Sequence, residues 1–338
     1  MKKFKRAAAV IAAFAAAAAV ALAFASCKNG AEGTETASAP TSEKKYSVVC
    51  SSFPQYDWMR VLLGDRMSEF DVLLLSGKGT DMHSYQPTAE DIKNIAAADM
   101  FVYVGGMSDG WVDDVRKSAG SDKTAFVNMT DILGSDVREE ETALEAEADD
   151  RDGHEHGDGE AEYDEHVWLS LKNAQKITAY IASELAKLDP DGKEVYENNL
   201  KEYLLRLAAL DAEYVKAVGN GARDTVIFAD RFPFLYMMKD YGIKYCAAFS
   251  GCSAESEASF KTVTALSRAA DEIKTDTLLI TETSDGSIAD AVISGMTDKT
   301  CQKAVMNSMQ SVTSADAAGE TYLGLMTANL ESLKKALG

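Results

Sequence analysis

From Tyr46 onward the apolar positions follow two alternating patterns. Short continuous apolar runs at 46–53, 70–77, 99–106 and 124–131 are separated by stretches with helical spacing, such as PQYDWMRVLLG (54–64) and TAEDIKNIAAA (88–98). A strand that is apolar on both sides belongs in a parallel sheet covered on both faces, and amphipathic helices supply the cover. The alternation breaks off near residue 138. Helical periodicity resumes over 171–188, and Tyr196, Leu200, Leu204, Leu207 and Leu210 predict a second, long helix over 193–218. Four more strands follow: TVIFAD (225–230), YCAAFSG (245–251), TLLITET (277–283) and AVMNSM (304–309). The expected fold is α/β, with two β/α lobes of mostly parallel sheet (46–192 and 219–338) joined by a linking helix (193–218). Open parallel sheets take ligands beyond the carboxyl ends of their strands, so a cleft between the lobes is the expected site.

The first 26 residues differ from the rest. Lys2, Lys3, Lys5 and Arg6 precede an Ala-rich apolar run from Ala7 to Ala25, which ends in Ala25-Ser26-Cys27. Basic head, apolar middle and small residues at the end mark an export signal. With Cys27 directly after the small pair, the segment resembles a bacterial lipoprotein signal, which implies lipidation of Cys27 and a flexible tether over 27–45. A retained membrane anchor is the other reading, because the run is nearly long enough to span. Either way the domain is expected to be extracytoplasmic and held to the cell membrane.

Charge sharpens the picture. The 338 residues contain 54 Asp and Glu against 34 Lys and Arg, a formal charge of −20. This argues against nucleic acid, whose phosphates demand clustered basic side chains. Much of the excess lies in one stretch, since residues 138–165 hold 14 acidic residues and include His154 and His156. Such a run is a solvated spacer, or an antenna that concentrates cations near the cleft.

The chain has only four His. His83 lies in GKGTDMHSYQPTAEDI (77–92), after the second predicted strand, and His166 lies in YDEHVWLSLKNA (163–174), after the acidic stretch. Two His in separate loops of a chain so poor in His point to metal binding. The four Cys beyond Cys27 are Cys50, Cys246, Cys252 and Cys301. They are either buried thiols or disulfide partners, and without Cys-x-x-Cys spacing a zinc–thiolate site is not expected.

The segments DMHSYQPT, DEHVWLSLKNA and RFPFLYMMKDYG, in this order, resemble the substrate-binding lipoproteins of zinc and manganese ABC importers. The resemblance runs from Tyr46 to Gly338. It implies that His83 and His166 are metal ligands, that the cargo is Zn²⁺ with Mn²⁺ as the alternative, and that the partner is an ABC permease. It also implies a monomer tethered to the membrane by its lipid. The family's third ligand comes from the first strand end of the second lobe, where this chain carries Arg231, and Arg cannot ligate a cation. Asp230, one residue earlier, is the expected replacement; capping the next helix is its other role. For a fourth ligand Glu282, Asp285 and Glu257 are open, with Glu282 preferred. Near Gln310–Ser311, where manganese-type members place an Asp, no carboxylate matches.

The function expected is capture and delivery of extracytoplasmic Zn²⁺, with metal binding weakened as pH falls through about 6.5. A zinc hydrolase is the alternative from another class, although neither HExxH nor GxSxG occurs. A surface adhesin on the same scaffold is a further alternative.

Overall fold

The computed structural model describes residues 45–119, 123–141, 163–252 and 258–338. Cys27, His154, His156 and Glu257 lie outside these described residues. All eight predicted strands form. β1 (Tyr46–Cys50), β2 (Phe70–Leu74), β3 (Met100–Tyr103) and β4 (Ala125–Asn128) make a parallel sheet in the order β2-β1-β3-β4. β5 (Thr225–Phe232), β6 (Lys244–Ser250), β7 (Thr277–Thr281) and β8 (Gln302–Met306) make a second parallel sheet in the matching order β6-β5-β7-β8. In each sheet the chain steps to one side after the first strand and to the other side after the second. The crevice where the order reverses is therefore between β1 and β3 in one sheet and between β5 and β7 in the other.

Helix positions follow from local chemistry. Pro54 stands at the start of the helix Phe53–Leu63, where its missing N–H costs nothing, and Ser52 with Gln55 forms a capping box. Thr88 and Asp91 do the same for Ala89–Ala97. The predicted long helix spans Lys193–Asn220, 28 residues. Its buried residues Tyr196, Tyr203, Leu207 and Tyr214 form a stripe against both lobes rather than a free connector. The main core is continuous across the two sheets, from Val48 and Phe70 through Trp168 to Phe228, Tyr236 and Leu333. The lobes thus share this core, and each sheet also carries a smaller core of its own, around Phe101 and Ile95 in the first and Ile227 and Leu266 in the second. No helix among the described residues is long and apolar enough to cross a membrane.

Hydrogen bonds fasten the lobes where the core is thickest. Trp168 Nε1 donates to Ser308 O at 2.9 Å, and Tyr322 OH donates to Trp168 O at 2.6 Å. Tyr236 OH donates to Asp164 O at 2.8 Å. These bonds bind the segment after β4 to the second sheet, so wide hinge opening would strand several buried polar groups.

The start of the long helix is held by charge. Asp189, with a fully buried side chain, receives Arg66 Nη2 at 2.6 Å, Tyr196 OH at 2.5 Å and Tyr46 OH at 3.2 Å. Removing the carboxylate leaves two hydroxyls without their acceptor and the partly buried Arg66 guanidinium with only Glu69, at 3.0 Å. Asp189→Ala should therefore cost about 3 kcal/mol of stability, measured by urea unfolding at pH 7. A loss under about 1 kcal/mol would show that packing alone holds the helix start.

Candidate metal centre

Side chains converge where the carboxyl ends of the two sheets face each other. His83 sits in a short 3₁₀ turn, Met82–Ser84, on the connection after β2. Asp81 caps this turn, accepting from the His83 N–H at 3.0 Å. His83 Nδ1 lies 2.8 Å from Ser108 Oγ and 3.5 Å from Glu165 Oε2. Glu165 in turn accepts from the Ser108 N–H at 2.8 Å. His166, fully buried, lies on the connection after β4. Asp164 Oδ1 takes its backbone N–H at 2.8 Å and its Nδ1 at 3.0 Å, fixing the ring from both ends.

Each imidazole thus turns Nδ1 toward an oxygen partner and Nε2 inward. A proton held at Nδ1 leaves the Nε2 lone pair free, the arrangement that an oxygen accepting from Nδ1 imposes on a metal-binding His. The two Nε2 atoms are 3.1 Å apart. Two nitrogens bound to one tetrahedral metal ion at zinc's bond length stand about 3.3 Å apart, so the pair already has ligand spacing. Burial, and after it the neighbouring His166, holds the His83 pKa down to about 4. The expected loss of binding near pH 6.5 therefore does not arise from His83.

The third member is Cys252, on the connection after β6. Ligand atoms of His83, His166 and Cys252 all lie within 4.8 Å of one another. Zn–N and Zn–S bonds of about 2.1 and 2.3 Å place tetrahedral S and N about 3.6 Å apart, a spacing within the range over which these atoms cluster. The Cys252 N–H is held by Glu140 Oε1 at 3.0 Å. Its neighbour Gly251 touches His166 closely: a Cβ there would come within 2.9 Å of the ring Cε1 and of Phe232 O. Any side chain at 251 would push the thiol-bearing loop away from the imidazole. Burial, reinforced by Glu140, Asp164 and Glu165, pushes the thiol pKa well up. The cation must therefore displace a proton to gain the thiolate. Two imidazoles and a thiolate suit a borderline-soft divalent ion better than Mn²⁺ or Mg²⁺.

Three carboxylates open as ligands are engaged elsewhere in the structure. Asp230 does not join the His pair: its Oδ2 accepts from the N–H and Oγ1 of Thr281 at 3.0 and 2.8 Å, and its Oδ1 from the Arg231 N–H at 2.8 Å. Neighbouring strand residues point to opposite sides. Arg231 faces the cleft, pairing with Asp81 at 3.1 Å, so Asp230 turns into the sheet and ties β5 to β7. Glu282 is likewise engaged, its two oxygens taking the Oγ and N–H of Ser308 at 2.7 and 2.8 Å. Asp285 caps Ser287 at 2.8 Å on the surface. Although no zinc–thiolate site is expected from the sequence, Cys252 stands beside both imidazoles. All four described Cys are free.

Residues not foreseen as part of the centre are Cys252, the orienting Ser108, Asp164 and Glu165, and Gln310, whose amide reaches the two Nε2 atoms. The available signal was indirect. With an Arg at the position of the third ligand, a Cys on the adjacent strand end is a natural substitute.

Comparisons with known proteins follow the geometry. The family model described as zinc-uptake complex component A periplasmic matches residues 48–336. The chain is 31% identical over 301 residues to the high-affinity zinc uptake system protein ZnuA of Bacillus subtilis, covering 89% of this chain and 90% of that protein. It is 30% identical over 296 residues to the zinc-binding lipoprotein AdcA of Streptococcus pneumoniae, covering 87% of this chain and 56% of AdcA. The chain thus spans little more than half of AdcA. Among solved structures it is similar to the Zn(II)-bound ZnuA-like domain of that AdcA, with TM-score 0.66 and 27% identity, covering 87% of this chain and 99% of the domain.

The loop that carries Ser108 has its own titrating anchor. Asp109 Oδ2 accepts from the N–H groups of Val104 and Gly105 at 2.9 and 3.0 Å. Burial pushes its carboxyl from 3.8 up to about 7. The folded chain therefore binds this proton more tightly than the unfolded one. The associated stability is complete below the ordinary value and is lost as pH rises through about 7. The melting-temperature difference between wild type and Asp109→Asn should shift against wild type between pH 5 and 7.5; a constant difference would refute the raised pKa.

Proposed function

We propose that this chain, which belongs to the zinc-uptake complex component A periplasmic family, captures Zn²⁺ on His83, His166 and Cys252 and delivers it to the permease of an ABC importer. It is a zinc-binding solute-binding protein of the extracytoplasmic class. The observation that carries the assignment of ligands is the pair of Nε2 atoms 3.1 Å apart, with Cys252 clustered beside the two rings. Zn²⁺ is favoured over Mn²⁺ because the third donor is sulfur. Zinc here is cargo, and the protein's task is to hold and release it.

Cys27 serves as the lipid attachment point, and residues 27–45 as the tether. The acidic stretch with His154 and His156 acts as a weak collector of cations. Its stem is anchored beside the centre: Glu140 holds the Cys252 loop, and Glu141 pairs with Lys239 at 2.6 Å. The tightness of the shared core supports a small adjustment of the lobes over the ion rather than a wide hinge opening.

Zinc titration of the full chain by calorimetry should give one tight site. His83→Ala, His166→Ala and Cys252→Ser should each weaken it by about a hundredfold or more. Cobalt substitution should give a sulfur-to-cobalt charge-transfer band that Cys252→Ser abolishes. Full affinity and an unchanged band in Cys252→Ser would remove the thiol from the site.

Proton competition should be shallow. One thiol proton is displaced, so log Kd should change by about one per pH unit. With His83 titrating only near 4, the slope should gain nothing from this ring between pH 7 and 5. Steepening at about 6.5 that vanishes in His83→Ala would contradict the lowered pKa.

A further inference from the structure

Gln310 follows β8 and is 4% exposed. Its Nε2 lies 2.8 Å from His83 Nε2 and also hydrogen-bonds His166 Nε2. One amide nitrogen therefore stands between the two atoms that a metal would bridge. The other end of the amide is held as well: Gln310 Oε1 lies 3.1 Å from Ser308 Oγ, and Ser308 is fixed by Glu282 through both its hydroxyl and its N–H.

Elementary hydrogen-bond chemistry explains the arrangement. With protons on both Nδ1 atoms, two Nε2 lone pairs face each other in a buried site, and each needs a donor. A carboxylate at this position could only accept. An amide NH₂ has two N–H groups, one for each imidazole.

We propose that Gln310 is a resident competitor for the metal position, its amide occupying the space between His83 and His166 until the ion displaces it. This rests on the ligand assignment made above. The consequence concerns a threshold. Stabilising the empty site lowers the affinity for every ion by the same factor and leaves the ratio between ions unchanged. Zn²⁺, strongly held by imidazole and thiolate, stays tightly bound. An oxygen-preferring ion such as Mn²⁺, held weakly by this donor set, falls below useful affinity. The amide also gives the imidazoles a partner as the ion leaves, which eases release.

The test compares wild type with Gln310→Ala, measuring Zn²⁺ and Mn²⁺ affinities by competition and Zn²⁺ dissociation by stopped-flow transfer to a chelator. Gln310→Ala should bind both ions more tightly by one common factor, roughly tenfold, since the empty site loses donors to two buried lone pairs. Zinc should leave it more slowly. Weaker zinc binding with faster release would make Gln310 a ligand through its carbonyl oxygen and overturn the proposal; unchanged affinities would overturn it too. Ser308→Ala, which loosens the amide without removing it, should shift affinity in the same direction by a smaller factor, and a shift the other way counts against the competitor. Zinc binding that survives His83→Ala and Cys252→Ser would mean that the ligand assignment has failed. Binding lost in those variants but unaltered in Gln310→Ala would mean that only the role of Gln310 has failed.

Discussion

Two imidazole nitrogens facing each other across 3.1 Å inside a protein are the constraint around which this molecule is organised. Bare lone pairs at that distance are unfavourable unless a proton, a donor or a cation lies between them. Burial holds the His83 pKa down to about 4, which disfavours a proton on that ring. Asp164, Ser108 and Glu165 fix the rings so that the lone pairs have no other direction to turn. The result is a place suited to a divalent cation and bridged here by the Gln310 amide.

Such a site needs stiff walls. Ring positions good to a few tenths of an ångström cannot rest on loops alone, and here oxygen partners hold each ring, Ser108 beside His83 and Asp164 beside His166. The shared core and the bonds of Trp168 to both Ser308 and Tyr322 keep the two sheets from drifting apart. Arg231 contributes from the second sheet by pairing with Asp81, which caps the turn that carries His83. A residue unable to bind a metal thereby steadies one that can.

Much of the fold was legible in the sequence because its signals are local. Continuous apolar strands, capping boxes at Ser52 and Thr88, and the periodic stripe of the long helix each follow from a few neighbouring residues. His83 and His166 stood out through their scarcity and their ordered motifs. The remainder of the centre depends on which strand ends meet in space. Asp230 looked well placed by counting along the chain, but strand alternation sent it to Thr281 once Arg231 faced the cleft. Cys252 was passed over because zinc-binding cysteines were sought in closely spaced pairs, whereas here a single thiol is matched with imidazoles from the other sheet. Gln310 carried no charge to draw notice, and its meaning appears only beside the two rings.

The matching strand orders of the two sheets have a consequence for how this centre can change. His83 and Cys252 both follow the second strand of their sheets, and His166 and Gln310 both follow the fourth. Each lobe thus offers the same two perches, and four separate loops each supply one donor to a common point. A donor can be exchanged on one perch while the other three stay rooted in their own strands. The scaffold behaves like a socket with four independently replaceable pins, so the choice of cation can evolve one residue at a time without renegotiating the fold.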